Sequence, residues 1–250
     1  MGVITWNGVT SSSLGIMVEK YPNYNGTARR YESVSVPGRN GTLLFDLGSY
    51  DSVVQEYDIA VIGAGPTVAR NVRGWLLGPV GYARLSDTYE TGYFRNAYYD
   101  GPINIENVLN AAGRATIRFV CGPERYLTTG ENDITIAKSP SDTSVINTYN
   151  GDALPVVEIR NTSGNAVSGT IDMTDLTDLI NTTYTITNWS QGQKLYIDSL
   201  LKDTYNATNS QNSVISLSHE YLTLKSGHSY SIFWTGSFTS VVMRPRWWVL

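Results

Sequence analysis

Ala115-Thr116-Ile117-Arg118-Phe119-Val120-Cys121, closed by Gly122-Pro123, decides the fold class. Ile117, Phe119 and Cys121 alternate with Thr116, Arg118 and Val120, the period-two pattern of a strand with one buried face. Gly-Pro then stops the strand. Upstream the same grammar recurs. Val3-Ile4-Thr5-Trp6 runs into Asn7-Gly8, and Leu14 to Val18 is a second apolar run. Ser33 to Val36 stops at the turn-rich Pro37-Gly38-Arg39-Asn40-Gly41, and Thr42 to Leu47 and Tyr57 to Ile62 follow as strands. One segment has the other period. After Pro66, suited to a first helical position, Val68, Val72, Trp75 and Leu76 form one apolar stripe, with Arg70, Asn71 and Arg73 opposite, until Gly78-Pro79.

Between residues 126 and 153 large apolar residues give way to Thr, Ser, Asp, Asn and Gly, which places a domain boundary near residue 133. Strand patterns then resume: Pro155 to Ile159, Val167 to Met173, Thr183 to Ile186, Lys194 to Ile197, Val214 to Leu217, Tyr230 to Trp234 and Val241 to Val249. The expectation is a mainly β chain. Residues 1–133 form an N-terminal β domain with one helix, and residues 134–250 form an antiparallel β sandwich.

Composition narrows the function. The 250 residues carry a net charge of −4, and only 16% are charged. With no long basic run, a dedicated nucleic-acid binder is disfavoured. No apolar run is long enough to cross a bilayer as a helix, and the first residues lack a secretory pattern, so neither a membrane nor a secretory route is expected. Of thirteen Arg, ten lie in residues 1–133. Arg favours bidentate contacts at interfaces, so this bias suits a first domain that meets other chains.

No catalytic set emerges. Gly63-Ala64-Gly65 precedes the helix, but Val68 stands where a dinucleotide loop needs glycine. Asp172, Asp175 and Asp178 read as a solvated loop, with a divalent cation as the weaker alternative. His219 and His228, the only histidines, fit no hydrolase or zinc spacing and read as surface residues. Cys121 reads as an inert buried thiol. Neither a cofactor nor a metal site is expected. Trp189, Trp234, Trp247 and Trp248 are candidate contacts for a glycan or a partner, set against the simpler use of Trp in a core. Trp247 and Trp248 are adjacent, so in a strand one is buried and the other faces outward.

From Val34 to Leu43, through Pro37-Gly38-Arg39-Asn40-Gly41, the chain resembles the distal tail (Dit) protein family of siphophages, the long-tailed, non-contractile bacteriophages. Further segments match in order: Trp6-Asn7-Gly8 with Leu14-Gly15-Ile16, the helix end at Arg73 to Leu77, and Gly113 to Pro123. In the second half, Leu154 to Ile159, Tyr196 to Ser199, Leu224 to Gly227, Trp234 to Gly236 and Val242 to Trp247 match, with Val157 and Ser226 departing from the family pattern. The resemblance implies a homo-hexameric ring at the distal end of a tail tube, built by the N-terminal domain. A galectin-like or carbohydrate-module-like β sandwich would project from it. The ring would join the major tail tube protein to a tail-tip (tail-associated) protein and to a receptor-binding protein. It would sit at the virion tail tip, after synthesis in the host bacterial cytoplasm, and would not be an enzyme. Pro37, Gly38, Arg39, Asn40 and Gly41 are the candidate inter-subunit contact loop, against a plain hairpin turn. The competing function is a carbohydrate-binding module or lectin with a host glycan as ligand, which accounts for the second domain but not the first.

Overall fold

The computed structural model describes residues 2–23, 25–63, 65–103, 106–109, 112–138, 143–163, 165–190, 194–207 and 209–250. It is mainly β, 52% strand and 10% helical, with one α-helix among the described residues. Contacts divide it into two units, Met1–Arg125 with Leu250, and Tyr126–Val249. The composition shift at residue 133 therefore falls eight residues beyond the contact boundary. Residues 126–133 pack with the second unit, where Leu127 N–H donates to Trp247 O at 2.9 Å and Arg246 N–H to Gly130 O at 2.8 Å.

In the first unit the alternation read at Cys121 becomes the centre of a sheet. Ala112–Cys121 pairs antiparallel along its whole length with Val53–Ile62 and, near its end, with Tyr93–Tyr99. The sheet extends outward through Ala83–Asp87, Ile4–Trp6 and Val9–Thr10 on one side and Ile16–Val18 on the other. Val53, Tyr57, Ile59 and Val61 face inward, as do Ile117, Phe119 and Cys121, so one pleat face of each strand feeds the core. Trp6 packs on Phe119 at 4.9 Å between ring centroids. Each such fully buried side chain stabilises by about 1.5–3 kcal/mol. The helix Pro66–Leu77 lays Val72, Trp75 and Leu76 into the same cluster, with Val68 at its margin, and leaves Arg70, Asn71 and Arg73 exposed. The expected stripe is the one the fold uses. Ala64, of the Gly63-Ala64-Gly65 sequence, lies outside the described residues.

The second unit is a sandwich of two antiparallel five-stranded sheets. One runs in the order Ile134–Ile136, Ser240–Arg244, Val156–Arg160, Lys194–Asp198, Asp203–Tyr205. The other runs Thr143–Ile146, Ser229–Gly236, Val167–Asp175, Ile180–Trp189, Ile215–Leu217. Ile159, Ile197, Val241 and Met243 from the first sheet and Ile171, Met173, Tyr184 and Ile232 from the second are buried. The strand expected from Val241 to Val249 is broken. It stops at Arg244 and resumes at Trp248–Val249, because Pro245 has no N–H to give a ladder and Arg246 takes a left-handed backbone, φ 57°.

Candidate interaction surfaces

The turn signal at Pro37–Gly41 is the tip of a hairpin that belongs to neither large sheet. Arg29–Ser35 and Thr42–Tyr50 pair only with each other, Val34 opposite Leu43 and Glu32 opposite Phe45. Gly38 and Gly41 hold the positive φ values, 81° and 80°, that the turn requires. All five tip residues are exposed. So are the apolar side chains of the strands: Tyr31, Val34, Val36, Leu44, Phe45 and Leu47 are between 38% and 60% exposed. A free two-stranded hairpin is marginal in water. This one is held by an Arg29–Asp46 ion pair, which also lowers the Asp46 pKa, and at its base by Thr27 Oγ1–H to Asp51 O at 2.6 Å.

Arginine usage differs between the units. All three arginines of the second unit serve carboxylates inside it. Arg246 forms a two-pronged pair with Asp198, both bonds 2.7 Å, and the carboxylate is 1% exposed. Arg160 and Arg244 meet Glu158, joined by Lys194, and Arg244 also reaches Asp133. Burial alone would raise the Asp198 and Glu158 pKa values, but these cationic hydrogen bonds carry both below the ordinary carboxylate range. In the first unit, Arg29, Arg30, Arg114, Arg118 and Arg125 also pair with carboxylates of that unit, but Arg39, Arg70 and Arg73 are exposed, and no ion pair or side-chain hydrogen bond joins them to the described residues.

The tryptophans have gone inside. Trp189, Trp234 and Trp247 are 2%, 6% and 8% exposed. Trp234 donates its indole N–H to Ile136 O at 2.9 Å. A sugar-stacking platform needs an open ring face, which these three do not offer. Trp248 is half-buried, its indole N–H on Asp152 O; because Trp247 lies in the interruption before the strand Trp248–Val249, strand alternation does not set how the pair is divided.

The acidic triplet is also divided. Asp172 accepts from the hydroxyls of Thr170 and Thr183. Asp175 caps its own turn through the N–H groups of Thr177 and Asp178 and pairs with His228 at 2.9 Å, while Asp178 pairs with Lys225. The ligand atoms of Asp175, Asp178 and His228 lie within 4.8 Å of one another, and the Lys225 ammonium supplies the cation beside them. His228 is thus a buried-edge partner of Asp175 rather than a free surface residue, whereas His219 is exposed. Cys121 is fully buried, and burial pushes its thiol up to about 11, which leaves it protonated and unreactive near neutral pH.

Two concavities were not signalled by the sequence. A cavity of about 30 Å³ in the first unit is lined by Tyr57, Asp87, Arg95 and Arg125. A crevice of about 320 Å³ in the second runs beneath residues 219–225. Their walls come from segments far apart in the chain, so no local motif marks them.

Two β units make up the described residues, the first carrying an exposed hairpin and the second a sandwich of two five-stranded sheets. The chain matches the crystal structure of the SPP1 Dit (gp 19.1) protein, a paradigm of the hub adsorption apparatus in phages that infect Gram-positive bacteria. The match covers 97% of each chain, with a TM-score of 0.70 and 12% identity. It also matches chains of the phage p2 baseplate in its activated conformation. With strontium, the match covers 97% of each chain at TM-score 0.54 and 10% identity; with calcium, 98% of each at 0.57 and 10%. The fold is therefore the one that the sequence motifs resembled. No protein-family model matches the chain, and no curated protein matches it.

Proposed function

We propose that the chain is a structural hub at the distal end of a bacteriophage tail, not an enzyme. Six copies would close into a ring through the first unit and join the major tail tube protein to the tail-tip and receptor-binding proteins. The observation that carries this is the hairpin Arg29–Tyr50, which exposes apolar side chains that a monomer has no use for. A closed ring needs a heterologous contact, in which one surface of each copy meets a different surface of the next. A projecting hairpin with Arg39 at its tip supplies one half of such a contact. The likeness of nearly the whole chain to phage hub and baseplate proteins supports the same reading. The place of action would be the virion tail tip, after synthesis in the host cytoplasm.

Multi-angle light scattering on the purified full chain, with negative-stain imaging of the same sample, tests the ring. The expected result is a particle of six times the chain mass with six-fold projections. A protein that stays monomeric at high concentration, and also when mixed with its tail tube protein, counts against the ring. The lectin alternative loses its Trp189 and Trp234 platform, since both rings are buried.

A further inference from the structure

We propose that the crevice beneath residues 219–225 binds a single neutral pyranose ring. The crevice lies against the inward face of the Val167–Asp175 and Ile180–Trp189 strands, and its volume of about 320 Å³ falls within the roughly 300–1,000 Å³ of small-ligand sites. Its wall is preformed. Tyr184 Oη accepts Leu222 N–H at 2.5 Å, and Tyr230 Oη accepts Lys225 N–H at 2.8 Å and donates to Thr223 O at 3.1 Å. The segment is therefore pinned before any ligand arrives, which lowers the ordering cost of binding.

The lining is amphiphilic in a particular way. Ile180, Leu222 and the half-buried Tyr221 ring give an apolar side. Thr182, His219 and Glu220 give a polar side, and none of their side chains makes a hydrogen bond to a described residue. A pyranose has the same division, with a face of C–H groups and a rim of hydroxyls. Charge selects against an anion. Lys225 is already paired with Asp178, and Asp175 with His228, which leaves Glu220 as the unpaired charge of the lining. A carboxylate accepts hydrogen bonds from vicinal hydroxyls and repels a phosphate or a uronate. This site shares no residue with the Trp189, Trp234, Trp247 and Trp248 set and does not depend on the ring.

Saturation-transfer difference NMR on the full chain, with methyl glucopyranoside, methyl galactopyranoside, N-acetylglucosamine and glucuronate as probes, tests the proposal. At least one neutral pyranoside should give a saturable signal with a dissociation constant on the order of 1 mM, and glucuronate should bind more weakly. Glu220→Gln combined with Thr182→Val should weaken binding at least tenfold, while Glu56→Gln, in the first unit and not among the crevice's lining residues, should not. Both positions are outside the core, and an unchanged melting temperature confirms that the double variant folds. If it does not fold, Glu220→Gln alone is read in the same way. No saturable signal from any neutral pyranoside, a signal unchanged in the variant, or tighter binding of glucuronate would overturn the site. Particle mass is read separately, so failure here leaves the ring untouched, and a monomeric chain leaves the sugar site standing.

Discussion

Two long antiparallel hairpins in this molecule make opposite use of the same local structure. Val167–Asp175 with Ile180–Trp189 buries Val167, Ile171, Met173, Tyr184 and Ile186 on one face and keeps Thr170, Thr174, Thr185 and Thr187 off that face. Arg29–Ser35 with Thr42–Tyr50 buries no residue, yet carries Val34, Leu43 and Phe45 on one face and Tyr31 and Leu44 on the other. The first hairpin is explained by its own chain. The second carries an exposed apolar surface that nothing in its own unit covers, and such surfaces mark contact sites. Arginine divides less sharply: Arg160, Arg244 and Arg246 all meet carboxylates of the second unit and Arg29, Arg30, Arg114, Arg118 and Arg125 meet carboxylates of the first, while Arg39, Arg70 and Arg73 remain exposed on the first unit.

The largest expected effect comes from removing the unexplained hairpin. Replacing residues 30–49 with a short Gly-Asn turn should abolish the particle seen by light scattering and leave a folded monomer by circular dichroism. A ring that survives the deletion would show that the hairpin is not the contact. The matched deletion of 170–185 from the sandwich should instead unfold the second unit.

Next come the two kinds of arginine. Arg246→Ala strands the buried Asp198 carboxylate and should cost about 3–5 kcal/mol in urea unfolding. Arg39→Ala should change stability by no more than about 0.5 kcal/mol and lower the particle mass instead. Equal stability losses from both would erase the distinction.

Acid should separate the units further. Asp175, Asp198 and Glu158 all have pKa values held below the ordinary range in the folded chain. Their contribution is fully present above the unfolded carboxyl value, 3.8 for aspartate, and is lost as pH falls through the lower folded values. Thermal melting between pH 5 and about 2 should show the second unit losing stability first. Loss in the first unit before the second would contradict this.

The smallest effect is expected at Cys121. Cys121→Ala leaves a small cavity beside Arg95 and should cost about 1 kcal/mol without altering assembly, read by melting and light scattering.

Much of the first unit could be read locally. The alternation at Ile117, Phe119 and Cys121 and the stripe at Val72, Trp75 and Leu76 became buried faces because a strand or helix pattern needs only near neighbours to express it. The turn at Pro37–Gly41 was legible for the same reason. The carboxylate clusters were not. Glu158 and Arg244 are 86 residues apart, and Asp198 and Arg246 are 48 apart. Nor could the expected Val241–Val249 strand show its own interruption, although Pro245 stood in it as a warning.

By itself, the sequence determined the class of structure: period-two runs, one period-3.6 segment and glycine-rich turns settle backbone choices within a few residues. Only the tertiary structure decided which face each ambiguous side chain met. It buried Trp189, Trp234 and Trp247, paired His228 with Asp175, separated Asp172 from its neighbours, and left Phe45 and Leu47 exposed. The physical reason is that burial and pairing are properties of what packs opposite a residue, and in a sheet of antiparallel strands that neighbour is set by topology, at distances along the chain that no local pattern records.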